Sequence, residues 1–176
     1  MATTKWILDP THSELQFKVK HLMITTVTGS LKSFSATLSS NEDNFTNAEI
    51  SFDGDLNSID TGNTDRDNHL KSADFFNAAE FNSMSFKSQS VEQDGNDLTV
   101  KGDLTIKGIT KPVTLAIEFG GIATDPYGNT KAGFTLSGKI NRTDFGLTWN
   151  AALETGCVMV SEEVRILGEL QFVKQA

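Results

Sequence analysis

Few residues in this chain have the type and spacing that chemistry requires. The three histidines, His12, His21 and His69, stand far apart, with no His-x-His or His-x-x-x-His pair to bring two imidazoles together. A metal site needs several converging ligands, so none is expected, and EDTA should leave the protein unaffected. The lone cysteine, Cys157, sits in Glu154-Thr155-Gly156-Cys157 with no histidine near it in sequence. There is no Gly-x-Ser-x-Gly elbow, Walker loop or dinucleotide glycine motif. Asp53 and Asp55 flank Gly54 on the polar side of an alternating run, where a solvated face is expected rather than an acid–base dyad. No catalytic residue and no required cofactor follow from these patterns.

Three polar residues remain as candidates for binding. His21 continues the parity of Leu15, Phe17 and Val19, which would place it at the inward-facing end of a strand. It reads equally well as a hydrogen-bond donor to a ligand's polar head and as a satisfied structural histidine. Arg66, in Arg66-Asp67, and Arg142, in Arg142-Thr143-Asp144, have forked guanidinium groups suited to a phosphate or carbonyl oxygen. Arg142 follows Ile140 on the apolar parity and, if turned inward, needs a partner. Clamping of a loop or helix is the stronger reading for both arginines. The other signal is the set of 12 Phe against one Tyr and two Trp. Phe fills volume without a polar handle, which suits a hydrocarbon tunnel, although composition alone favours a solid Phe-rich core.

The elements that must position these residues read as strands. Leu15-Phe17-Val19, Phe34-Ala36-Leu38, Ile50-Phe52-Gly54-Leu56 and Leu98-Val100-Gly102-Leu104-Ile106 alternate with polar residues. So do Val113-Leu115-Ile117-Phe119, Ala132-Phe134-Leu136 and Val164-Ile166-Gly168-Leu170-Phe172. About eight such runs of period two point to an all-β sandwich or barrel. Glycines on the apolar faces, Gly54, Gly102, Gly138 and Gly168 among them, favour the barrel, where strands bend and side chains approach backbone closely. Asp94-Gly95-Asn96, Asp125-Pro126-Tyr127-Gly128 and residues 108–112 mark turns. The parity changes near Lys32 and Ser33, as at a β-bulge. Residues 64–76 lack alternation and predict a helix capped by Thr64 or Asp65; a weaker helical signal lies at 41–47. The fold expected is an antiparallel barrel of about eight strands with one or two short helices, occupying residues 1–176 as one domain.

Bulk properties narrow the partners. The formal net charge of -8 argues against nucleic acid, whose binding depends on Lys and Arg neutralising phosphates. No run approaches the roughly 18 apolar residues of a membrane span. The N-terminal residues lack an apolar signal-peptide core, so a cytoplasmic protein is expected, or a periplasmic one if this is a mature form. The oligomeric state is open, a homodimer included.

Order and spacing add a resemblance. Trp6-Ile7-Leu8-Asp9 with His12-Ser13 and Phe17, then Lys20-His21, Gly29 and Phe34, resemble the opening of the YceI-like family. Ser58-Ile59-Asp60-Thr61, Arg66-Asp67, His69-Leu70 and Asp74-Phe75-Phe76 are similar to its most distinctive stretch. Gly102-Asp103-Leu104-Thr105-Ile106-Lys107-Gly108 and Arg142-Thr143-Asp144-Phe145-Gly146-Leu147 complete the series. Where that family often has Tyr-Pro after the Phe-Phe element, this chain has Phe81-Asn82. The resemblance implies a lipocalin-like barrel and non-enzymatic binding, storage or transport of a long apolar lipid, most readily a polyisoprenoid such as an isoprenoid quinone or polyprenyl phosphate. The alternatives are an enzyme acting on such a lipid, a fatty-acid or fatty-amide binder, and a solid barrel that meets protein partners by its surface. With a tunnel expected, its walls follow from inward parity: Phe17, Val19, Phe34, Phe52, Phe86, Leu104, Leu115 and Phe134, with His21, Arg66 and Arg142 as candidates for the head group.

Overall fold

A computed structural model describes residues 3–22, 24–41, 44–148 and 160–175. Its strands are β1 (Thr3–Leu8), β2 (Glu14–His21), β3 (Thr25–Leu31), β4 (Phe34–Asn41), β5 (Asn44–Asp55), β6 (Ile59–Asp60), β7 (Ser83–Asp94), β8 (Asp97–Ile106), β9 (Ile109–Thr124), β10 (Thr130–Asn141) and β11 (Val160–Lys174). One helix, α1 (Thr64–Lys71), lies between β6 and β7. The ring runs β1-β4-β5-β7-β8-β9-β10-β11, and β11 pairs back onto β1 to close an antiparallel barrel of eight strands.

The remaining three strands are continuations. β2 prolongs β1, β3 precedes β4 and β6 follows β5, and they pair among themselves and with β11 at one end of the barrel. Two of these breaks use one device: the Asp9 carboxylate accepts from Thr11 N–H and the Asp55 carboxylate from Asn57 N–H, each opening a single 3-10 turn. A short side-chain acceptor that offers the backbone a local partner ends a strand in this way. The third break, at Lys32 and Ser33, carries the parity change read from sequence.

The hairpin turns follow their residues. Gly95, at φ 63, opens the two-residue connection between Asp94 and Asp97. Between β8 and β9 the turn is Lys107-Gly108, both left-handed, and Pro112 already lies in β9 opposite Asp103; this corrects the turn expected at 108–112. The expected helix at 41–47 is also corrected, since Asn41 ends β4 and residues 44–47 belong to β5. The helix at 64–76 stops at Lys71, and its N-cap is Asn63, whose side chain accepts from Arg66 N–H. Cys157 lies outside the described residues.

At one end the barrel is filled by rings. Phe45 packs on Trp6, Phe119 and Phe134 with centroids 6.1, 5.2 and 5.3 Å away, and Phe134 meets Phe172 edge-on at 5.7 Å. Such tilted and edge-on contacts suit the aromatic quadrupole. The buried Trp6 indole donates to Ser40 Oγ at 3.0 Å, so its polar atom is satisfied. Inward glycines make room for rings elsewhere. A Cβ at Gly102 would lie 2.6 Å from Phe86 Cζ and 2.4 Å from the Lys87 carbonyl oxygen.

Outside this plugged end, Lys131 Nζ lies 2.8 Å from Asp9 Oδ2 and 3.6 Å from Asp125 Oδ2, tying β10 to the β1–β2 kink. The hydrogen bond from Lys131 foremost, then those from Thr11 and His12, hold the Asp9 carboxyl well below its ordinary value of 3.8. The hydrogen bond to Asp9 likewise raises Lys131 above 10.5. A depressed carboxyl contributes stability that is present above its unfolded pKa and is lost as pH falls through the folded value; the raised lysine contributes below its unfolded pKa and loses this as pH rises. The gap in unfolding free energy between wild type and Asp9→Asn should therefore stay level from about pH 4 to about pH 10 and narrow below pH 4. Urea titrations across pH read this, and a gap that persists unchanged to low pH would remove Asp9 from the tie.

Candidate functional site

Three apolar chambers follow one another inside the barrel, with volumes of about 120, 100 and 50 Å³. The first and second share Leu15, Met84 and Ile166 as walls, and the second and third share Ile50, Ile117, Leu170 and Phe172. They form a series along the strands rather than separate holes. The third ends against the Phe45–Phe134 cluster.

The strand period places the walls. Phe17 and Val19 face the first chamber from β2; Phe34, Phe52, Phe86, Leu104 and Leu115 face the second; Phe134 faces the third. The first chamber is closed from outside the sheet by Leu70 of α1 and by Phe75 and Phe76, which follow it. Among the described strands β6 pairs with β3 alone, and the 61–82 segment connects β6 to β7. Parity arguments missed Leu70, Phe75 and Phe76 because no strand carries them; the signal available was the Phe-Phe pair just past a helical stretch of little apolar content.

Among described residues lining the first two chambers, only Gln16 and Arg142 are polar. Arg142 opens a 3-10 turn (Arg142–Phe145) that Asn141 caps, as Asp9 and Asp55 do elsewhere. Its side chain is 3% exposed. Nε donates to the Ser161 carbonyl at 2.8 Å, Nη1 to that of Leu147 and Nη2 to that of Val160 at 3.2 Å. Burial lowers its pKa, partly offset by the charge of Glu162. One cation thus stands in an apolar wall, with backbone oxygens around it.

The other two polar candidates lie elsewhere. Arg66 is exposed and lines none of these chambers; its Nε donates to Thr61 Oγ1 at 2.7 Å and its Nη2 to the Thr61 carbonyl at 2.6 Å. The Asp67 carboxylate accepts from both the N–H and the hydroxyl of Thr61. His21 ends the row of Phe17 and Val19, half-buried, opposite Val160 and Thr25. Among the described residues no cluster of three or more His, Cys, Asp or Glu could hold a metal ion.

Residues 6–172 match the YceI-like domain. The chain belongs to the YceI-like domain family. A UPF0312 protein of Staphylococcus epidermidis is 41% identical over 170 residues, which is 96% of this chain and 97% of that one. Among solved structures, BcnA of Burkholderia cenocepacia superposes with a TM-score of 0.79 at 24% identity, over 93% of this chain and 98% of that one. A polyisoprenoid binding domain from Saccharophagus degradans, implicated in plant cell wall breakdown, superposes with a TM-score of 0.72 at 18% identity, over 97% and 98%. At these identities the two structures share the fold with this YceI-like barrel. Among the described residues of the YceI-like chain, no helix is long and apolar enough to cross a membrane.

Proposed function

We propose that this barrel binds and carries a polyisoprenoid, without catalysis, in its serial chambers. The carrying observation is their arrangement. A dry apolar cavity of roughly 150 Å³ accepts a benzene-sized group, so two chambers of about 120 and 100 Å³ in line, with a smaller one beyond, suit a chain of small branched units better than one bulky ligand. Burial of each CH₂ is worth roughly 0.8 kcal/mol, and ordering the chain consumes part of that. The printed description of the Saccharophagus domain supports the same ligand class. The lining supports a carrier rather than an enzyme: among the described residues of the two larger chambers the polar groups are Gln16, a neutral amide, and Arg142, whose guanidinium does not deprotonate in proteins.

Arg142 is proposed as the residue that meets a carbonyl or phosphate oxygen of the head group, since it alone of the three polar candidates reaches a chamber wall. Native mass spectrometry of purified protein, with organic extraction of what co-purifies, tests the reading. An isoprenoid quinone or polyprenyl phosphate mass is expected; a fatty acid or fatty amide would redirect it, and a protein that takes up no lipid would overturn it. Turnover of the bound lipid would convert the carrier into an enzyme.

Arg66 and His21 separate by experiment. Arg66→Ala is expected to lose about 1 kcal/mol of stability with its hydrogen bonds to Thr61, and to weaken a head-bearing lipid and a plain hydrocarbon of equal length alike. His21→Ala is expected to weaken the head-bearing lipid by about three- to tenfold, one hydrogen bond's worth, and the hydrocarbon little. Melting curves with paired affinities decide, and equal losses for His21→Ala would remove it from the head-group site.

A further inference from the structure

At the first-chamber end, β3 runs on past its neighbour β6. β6 covers only Ser30 and Leu31 of β3, whereas the β2–β3 ladder continues to His21 opposite Thr25. Beyond it Ile24 is 76% exposed, and Leu22, half-buried, stands at φ 52. The other non-glycine left-handed positions among the described residues are Asn47, Asn77 and Lys107. A bulky apolar residue is the poorest fit to that conformation, and strain of this kind persists where something else is gained. The tip also continues the chamber wall. His21 pairs with Val160 and Val19 with Val164, and Val19, Val160 and Val164 all line the first chamber. Lys20 is exposed, as are Glu162 and Glu163 on the neighbouring strand, so these rim charges carry no positive excess.

We propose that the β2–β3 tip docks the barrel on a zwitterionic lipid bilayer, with Ile24 and Leu22 entering the acyl boundary beside the first chamber. Cargo then passes between bilayer and barrel along a continuous apolar path. The proposal rests on the reading of the chambers as a lipid site. Two aliphatic side chains give a weak, reversible contact, as one short acyl chain does, which suits a protein that must leave again. With no positive excess around the tip, the contact does not draw on anionic lipid and is not weakened by salt.

Flotation of the full chain with phosphatidylcholine vesicles tests this. Wild type is expected to float, equally well in high salt and without phosphatidylglycerol. Ile24→Ser is expected to lower partitioning about tenfold, the worth of one buried aliphatic side chain. Leu22→Asn is expected to lower it similarly while the melting temperature holds or rises, because Asn suits the left-handed region. Tyr127→Ser, on an exposed turn at the plugged end, is expected to float as wild type. Wild type that fails to float, Ile24→Ser that floats undiminished, or flotation that needs phosphatidylglycerol or low salt would overturn the proposal. So would a dimer in sedimentation that Ile24→Ser dissolves while vesicles stay unbound, since the tip would then meet a second copy of the chain. Uptake of an isoprenoid quinone from ethanol is run in parallel. Protein that loads but does not float overturns the docking and leaves the carrier reading; protein that floats but does not load supports the docking and overturns the carrier.

Discussion

An Arg142→Met protein is expected to be less stable than wild type by about 3–5 kcal/mol, because backbone carbonyls that it holds lose a charged hydrogen-bond donor. Met matches the length of the arginine stem and fits apolar surroundings, so volume is largely kept. What is lost is the donor set: the carbonyls of Ser161, Leu147 and Val160 lose hydrogen bonds that Arg142 provides. A buried acceptor left without a partner costs about 1–3 kcal/mol, and the bonds to the Ser161 and Leu147 carbonyls are both buried. Arg142→Lys should recover only part, because an ammonium is a point charge and cannot span three carbonyls as a fork does. Urea denaturation measures both variants, and a loss below about 1 kcal/mol for Arg142→Met would show that other donors replace the guanidinium. Binding measured where both proteins are folded then tests the head-group role. Affinity for a head-bearing lipid should fall more than affinity for a hydrocarbon of equal length; equal losses would leave Arg142 a structural residue alone.

Phe45→Ala should have an effect of similar size by a different route. Phe45 is 1% exposed and touches the rings of Trp6, Phe119 and Phe134. Truncating a buried Phe costs about 3–5 kcal/mol, part for lost transfer energy and part for the cavity left behind. Here the cavity opens into the third chamber, whose wall Phe45 forms. The longest isoprenoid accepted should therefore grow by roughly one isoprene-sized group, the room a lost ring leaves. Competition among isoprenols of graded length, read by native mass spectrometry, checks this. Lower stability with the same maximum length would mean that the bound chain ends short of the third chamber. Phe45→Leu, which keeps most of the volume, should lie between the two proteins in both readouts.

How much of this was legible depends on the range of the physics involved. Period-two alternation is a property of each strand by itself, so the inward rows of Phe17, Phe52, Leu104 and Phe134 could be read without knowing which strands pair. Turn chemistry is equally local, as Gly95 and the Lys107-Gly108 turn show; the 108–112 reading failed because Pro112 tolerates a strand position whose N–H is not needed. The helix at 64–76 was read too long. Helical spacing continued past Lys71 on paper, but Ser72 turns the chain, and the apolar residues beyond it are drawn to the chamber instead.

The two arginines show where sequence stops. Arg66-Asp67 and Arg142-Thr143-Asp144 look alike as strings: a guanidinium, a nearby acid, a break between strands. By itself the sequence determined an alternating, glycine-spaced chain that closes as a barrel with an apolar interior, because side-chain period and turn preference are set by neighbours a few residues away. Only the tertiary structure decided that Arg66 stays at the surface on Thr61 while Arg142 is buried beneath the start of β11. It also decided that the interior remains open as three chambers, with rings filling one end and the 61–82 segment closing the other. Burial and cavity shape depend on which distant strands come together, and the carbonyls of Val160 and Ser161 that hold Arg142 lie 18 and 19 residues away from it.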